Sequence, residues 1–315
     1  MVIFNRRIKP IAYVIFVLLI VVLLLLIMVP KSIKLHKLHN SIEYKLSTKG
    51  YNNKDITVIN TLDNNDMEYI LNNEYSSVIT SIINSKYFLP NNFKDYIKYH
   101  NDDKENDINN IIAYVNTKSY EEEYEEIKQT DTSLEFEMLV NKNNYLNSDY
   151  IPDNIVKVSN WYAYEGHKLN KTAYDSFINM FNDAKKDGVS IVLSQGYRSY
   201  KDQKSIFNTY KRDYGEKYAD VVSTRPGFSE YQTGLALNIS KLYSSDDKFD
   251  STKEYKWLID NSYKYGFILR YPKDKEFITK YKYNPNHFRY VGVEAATIIN
   301  SENLTLEEYL AYYKK

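Results

Sequence analysis

The chain of 315 residues carries 41 basic and 41 acidic side chains and no cysteine. Disulfides and thiolate metal sites are excluded, and the balanced charge, with no basic stripe beyond the N-terminal region, argues against nucleic acid as a partner. The length allows a large core plus an accessory module.

Residues 11–29 read IAYVIFVLLIVVLLLLIMV, 19 residues without a charge. At about 1.5 Å per residue this helix is roughly 28 Å long, close to the hydrocarbon thickness of a bilayer. No small-x-small cleavage site follows in PKSIKLHKLHN, so an uncleaved transmembrane anchor is expected after a short tail at 1–10. Arg6, Arg7 and Lys9 precede the span and Lys31, Lys34 and Lys37 follow it, so charge barely sets its orientation.

Residues 30–115 are expected to form a helical accessory region. Apolar residues recur there at three- and four-residue steps: Ile56, Ile59 and Leu62, then Val78, Ile79, Ile82 and Ile83, then Phe93, Tyr96 and Ile97. A small spacer is the bland reading, ahead of a second site. The run SYEEEYEEIKQTDTS reads as a solvated face or linker, placed at 116–134.

Glycine marks the change that follows, since only Gly50 of nine glycines precedes residue 166. In TAYDSFINMFNDAKKDG, Ala173, Phe177, Met180, Phe181 and Ala184 share one helical stripe, with Thr172 and Asp175 as a capping pair and Gly188 as a stop. VSIVLS, TGLALNIS, YGFILRY and HFRYVG read as strands, and a helix begins near Asp202. LTLEEYLAYY closes the chain as a helix, with Thr305 and Glu308 as a capping box. Trp257, Leu258, Phe267 and Leu269 are expected in the core. Strands and helices mix without a βαβ repeat, so the class is α+β.

Five collinear segments, LVNKNNYL with DYIPDNIV, SQGYRSYKDQ, PGFSEYQTGLALNIS, WLIDNSYKYGFILRYPKDKEFIT and YNPNHFRYVG, resemble the VanY-type D-alanyl-D-alanine carboxypeptidases of the LAS metallopeptidases. The resemblance implies the LAS/Hedgehog-type peptidase fold, a small antiparallel sheet with flanking helices, over residues 135–315. It also implies a zinc site made by a Ser-x-His-x6-Asp motif and a later histidine, with a general-base glutamate in Glu-Pro-Trp-His. Two imidazoles and a carboxylate hold zinc tetrahedrally with one position open for water, which the glutamate deprotonates.

Only the last ligand is retained, as His287. Tyr231 and Asn238 stand at the other ligand positions, Asn284 at the general-base position and Asn286 at that of the tryptophan. Asparagine supplies no charge and no base near pH 7, and an unperturbed tyrosine phenol titrates near 10. No zinc or other cofactor is therefore expected. Tyr231 with His287 as a ferric site is a remote alternative.

The substrate side is better kept. The resemblance assigns Arg198 to the terminal carboxylate of a peptide, and Gln203 and Ser229 to the cleft; for Arg198 the alternative is a structural ion pair. His36, His39, His100 and His167 lack metal-ligand spacing with His287 and read as surface or packing residues. Glu230 would point away from the site if its backbone were extended. Arg289 and Tyr290 are expected to brace His287.

The resemblance tips the C-terminal part outward, making residues 1–10 a cytoplasmic tail. The leading reading is a membrane-anchored, extracytoplasmic pseudoenzyme that binds peptidoglycan stem peptides. The alternatives are an active D,D- or L,D-carboxypeptidase with a rearranged site, and an interaction protein whose working surface is the helical region or the anchor.

Overall fold

The computed structural model describes residues 8–39, 41–164, 166–242 and 248–314. Residues 1–7 of the expected tail, with Arg6 and Arg7, and the side chains of His36 and His39 lie outside the described set. The chain divides into two compact units, 1–109 and 110–315.

In the first unit, α1 (Ile8–His39) is a single 32-residue helix. Its Val14–Lys34 stretch, with a mean hydropathy of 3.1, is long and apolar enough to cross a membrane by length and composition. Four capped helices follow: α2 (Ile42–Lys49), α3 (Asn53–Ile59), α4 (Asn64–Asn72) and α5 (Ser77–Ile83). The Ser41, Asn52, Asp63 and Ser76 side chains each accept a backbone N–H of the first turn, and Asn52 with Asp55 completes a capping box. With α6 (Phe93–Asp102) they enclose Leu46, Ile59, Ile70, Ile79 and Phe93. The apolar steps read from the sequence supply most of this core, while Val78 and Ile97 stay half-buried.

α7 (Ile108–Asn116) crosses the sequence boundary into the second unit. The 116–134 stretch, expected as a linker, is built into that unit. Its β1 (Lys128–Gln129) pairs in parallel with β2 (Asn144–Tyr145). The Tyr124 ring packs edge-on against Phe228 at 5.1 Å and beneath the Arg225 guanidinium at 4.1 Å.

β3 (Ile155–Lys157) and β4 (Lys168–Asn170) form an antiparallel pair that feeds α8 (Lys171–Lys186). The apolar stripe of α8 is buried at Ala173, Phe177, Met180 and Ala184, as its spacing predicts. The cap differs from expectation: the Asn170 side chain, not a Thr172–Asp175 pair, accepts the Thr172 and Ala173 N–H groups. The helix therefore starts one residue before Thr172, and Asp175 instead pairs with Lys171 across one turn.

The central sheet contains β5 (Ile191–Gln195), β6 (Ala236–Lys241), β7 (Phe267–Tyr271) and β8 (Asn284–Tyr290). Its order is β5-β6-β8-β7 and every pair is antiparallel. Leu193, Leu237, Ile239, Phe267 and Phe288 join the α8 stripe in one core with Leu258, while Trp257 and Leu269 pack at its edge. Between β5 and β6 lie α9 (Tyr200–Tyr214) and α10 (Glu216–Val222). The Thr305–Glu308 capping box forms as read and opens the last helix, Leu306–Tyr313. The α+β class stands.

Gly234 joins the 3-10 turn Glu230–Thr233 to β6 with φ +70°. A Cβ there would lie 2.4 Å from Ile155 Cδ1 and 3.1 Å from the Asn170 backbone nitrogen. Gly234→Ala is expected to cost about 1–3 kcal/mol, read as a lowered thermal midpoint, because both the conformation and the space select glycine.

Candidate functional site

A cavity of about 670 Å³ opens between α9–α10, the 229–231 turn and the segment leading into β8. That volume suits a small ligand. Arg198, Ser229, Glu230, Tyr231, Tyr271, Asn284 and His287 all line it.

Sheet register brings the site together. Asn238 on β6 and His287 on β8 are direct cross-strand partners, and Gln195 on β5 pairs with Asn238 on its other side. Tyr231 arrives from the 3-10 turn that precedes β6, and its hydroxyl donates to Asn238 Oδ1 at 2.7 Å. The two positions that the resemblance reads as substituted metal ligands thus satisfy each other. Burial pushes the Tyr231 phenol well above its ordinary value of 10, against the opposing charge of Arg198, so it stays a neutral donor. The His287 ring lies between two tyrosines, with centroids 5.1 Å from Tyr231 and 4.9 Å from Tyr271. Burial holds its pKa below the usual 6.5.

Asn284, which the resemblance sets at the general-base position, accepts the Asn286 N–H at 3.1 Å in a local turn. Asn286 in turn donates to the Ile239 carbonyl at 2.8 Å, tying β8 to β6. Ser229 is buried in the cleft wall and starts the turn that carries Glu230 and Tyr231.

Arg198 lies on the loop between β5 and α9, with its guanidinium over the Tyr231 ring at 4.8 Å. Its Nη1 donates to Gln203 Oε1 at 2.8 Å. Among the described residues no carboxylate lies within ion-pair distance of Arg198, so the structural ion pair considered for it does not form. Burial lowers its pKa only from an extreme value, leaving it a cation. Gln203, expected to line the cleft, is instead buried behind Arg198. Its amide nitrogen donates to Ser223 Oγ and to the Thr224 carbonyl, so all its polar atoms are spent on positioning.

Glu230 corrects the sequence reading most clearly. It sits in a 3-10 turn rather than an extended strand, so its carboxylate enters the site. Oε1 accepts from Arg270 Nε at 2.7 Å and from Arg289 Nη1 at 2.9 Å. Oε2 lies 3.4 Å from His287 Nε2, close but not aligned as a hydrogen bond. Arg270 also forks onto Glu307 at 2.7 and 2.8 Å, and Arg289 donates to the Phe136 and Met138 carbonyls. Both guanidiniums are fully buried. Burial alone would raise the Glu230 pKa, but the charges of Arg270 and Arg289 outweigh it and hold the carboxyl far below the usual range. Arg289, expected to brace His287, holds the Glu230 carboxylate that lies beside the His287 ring.

The sequence reading passed over Tyr271, Arg270 and Glu307. Aromatic residues in strands look like core from sequence, and the ion network joins residues 37 to 59 positions apart. Of the sequence-selected residues, Arg198, Ser229, Tyr231, Asn238, Asn284 and His287 do converge; His100 and His167 do not line the cleft.

The family profile described as VanY, D-alanyl-D-alanine carboxypeptidase, matches residues 166–293. A putative carboxypeptidase of Bacillus subtilis, YodJ, is 45% identical over 184 residues, covering 56% of this chain and 67% of the relative. A D-alanyl-D-alanine carboxypeptidase of Enterococcus faecium is 38% identical over 148 residues, 47% of this chain and 45% of that protein. The solved structure of the LdcB LD-carboxypeptidase, described as revealing peptidoglycan recognition, aligns with a TM-score of 0.56 at 42% identity. It covers 61% of this chain and 92% of LdcB. The α+β fold is that of this peptidase group. The chain thus spans from under half to two thirds of the curated relatives' length.

Proposed function

The chain belongs to the VanY D-alanyl-D-alanine carboxypeptidase family, and from that premise we propose a membrane-anchored, extracytoplasmic protein that binds peptidoglycan stem peptides without hydrolysing them. The observation that carries the binding half is Arg198. It is a half-buried cation at a cleft, held by a neutral amide and an aromatic ring, with its counter-charge absent among the described residues. A peptide carboxylate would supply that charge through two parallel hydrogen bonds.

The inactive half rests on the donor set. The family's zinc needs two imidazoles and a carboxylate, and this cleft presents one imidazole, a neutral amide oxygen, a neutral phenol and the Glu230 carboxylate, which the buried Arg270 and Arg289 already neutralise. The amide oxygen accepts the phenol's hydrogen bond, so these two neutral groups satisfy each other. Among the described residues no group of three or more His, Asp or Glu could hold a metal ion. These residues do not fit zinc. Asn284 has no proton to exchange near neutral pH, and general-base help alone is worth about 10²- to 10⁴-fold. The Val14–Lys34 stretch is the proposed anchor.

Isothermal titration of the detergent-solubilised chain with a D-Ala-D-Ala-terminated peptide tests this reading. Binding is expected, with release of alanine at background. Arg198→Ala should weaken binding by about 10- to 100-fold, the worth of charge-assisted hydrogen bonds. Absence of binding, or binding indifferent to Arg198→Ala, would overturn it. Alanine release that disappears in His287→Ala would restore the hydrolytic reading.

A further inference from the structure

We infer that Tyr231, beyond filling the place of a metal ligand, is the positioning residue for Arg198 and so sets the cleft's affinity for a carboxylate. The inference rests on the peptide-binding reading for its ligand but not for its geometry.

Three contacts fix Arg198, and two of them come from Tyr231. The Arg198 backbone N–H donates to the Tyr231 carbonyl at 3.1 Å, and the guanidinium sits over the Tyr231 ring at 4.8 Å. The third contact is the Gln203 side chain at 2.8 Å. The ring is itself held at both ends. Its hydroxyl donates to Asn238 Oδ1 at 2.7 Å, and one side packs against the His287 ring at 5.1 Å. Asn238 and His287 are cross-strand partners, so the platform is anchored on the rigid centre of the sheet.

An arginine side chain free in solution samples many rotamers, and ordering it on binding is paid from the affinity. A ring that already holds the guanidinium in place removes much of that loss. The neutral ring face also leaves the guanidinium edge, with its N–H groups, unneutralised for an incoming carboxylate. A residue that ends metal binding would thereby improve recognition of the peptide terminus.

The test compares Tyr231→Phe, which keeps the ring, with Tyr231→Leu, which removes it, both in the solubilised full chain. Titration with the D-Ala-D-Ala-terminated peptide should show Tyr231→Phe within about twofold of wild type and Tyr231→Leu weaker by about 5- to 20-fold. Tyr231→Met replaces the leucine variant if that one fails to fold, judged by its thermal midpoint. A second readout needs no ligand. The Arg198 Nε–H resonance should be sharp and ring-current-shifted in wild type and Tyr231→Phe, and should revert towards the position of a free arginine in Tyr231→Leu. Unchanged affinity and an unchanged resonance in the leucine variant would overturn the inference and leave the peptide-binding reading standing. A wild type that binds no peptide but shows the resonance shift, lost in Tyr231→Leu, would overturn the peptide-binding reading and support the platform.

Discussion

Glu230→Ala is expected to destabilise the second unit by about 3–5 kcal/mol, because it leaves Arg270 buried with Glu307 alone and Arg289 buried with no carboxylate partner. Both arginines are fully excluded from solvent, so neither can recover its lost partner by rotating into water. For a unit of this size each kcal/mol moves the thermal midpoint by roughly 2–4 °C, so a fall on the order of 10 °C is expected by calorimetry. A shift under about 2 °C would show that the network relaxes or admits water.

The same carboxylate has a signature in acid. Its folded pKa lies far below its unfolded value, so the stability it contributes is full above the ordinary glutamate pKa of about 4.3. That stability is lost as pH falls from there through the folded value. Wild type should therefore lose stability more steeply below about pH 4 than Glu230→Ala does.

Returning the ligands should return the metal. The double substitution Tyr231→His with Asn238→Asp is expected to carry one zinc per molecule where the unaltered chain is expected to carry none, measured by inductively coupled plasma mass spectrometry after dialysis. Two imidazoles and one carboxylate would then converge, and the register of β6 against β8 already sets position 238 directly opposite His287. The change also breaks the phenol–amide pair that occupies the site. Adding Asn284→Glu should then raise alanine release by about 10²- to 10⁴-fold over the zinc-loaded double variant. Stoichiometric zinc in the unaltered chain would overturn the view that Tyr231 and Asn238 have ended metal binding. Failure of the double variant to take up zinc would mean that the surrounding packing, including Tyr271 against His287, has closed the site as well.

Much of the molecule is legible from local pattern. A charge-free run of 19 residues specifies the apolar helix, and three- and four-residue apolar steps specify the small helical core and the α8 stripe. The strand segments are visible as short β-branched and aromatic runs. The identities at 231, 238, 284 and 287 are also visible, because what a tyrosine, an asparagine or a histidine can donate, accept or ionise is a fact about side-chain chemistry that needs no coordinates.

What the chain alone left open concerns direction and partnership. Glu230 was aimed away from the site on the assumption of an extended backbone, and a 3-10 turn of four residues reversed that. Gln203 is a glutamine in either place, but only the fold puts it behind Arg198 instead of on the wall. Arg198 could have been an ion pair or a free cation, and the difference lies in which acids the fold brings near. The tyrosine–asparagine pair, the aromatic platform and the Glu307–Arg270–Glu230–Arg289 network all join residues from different strands and turns. Secondary structure follows from interactions within a few residues, which a sequence displays. Which side chains meet across β5, β6, β8 and β7 depends on register and crossover, and those are settled only when the core closes.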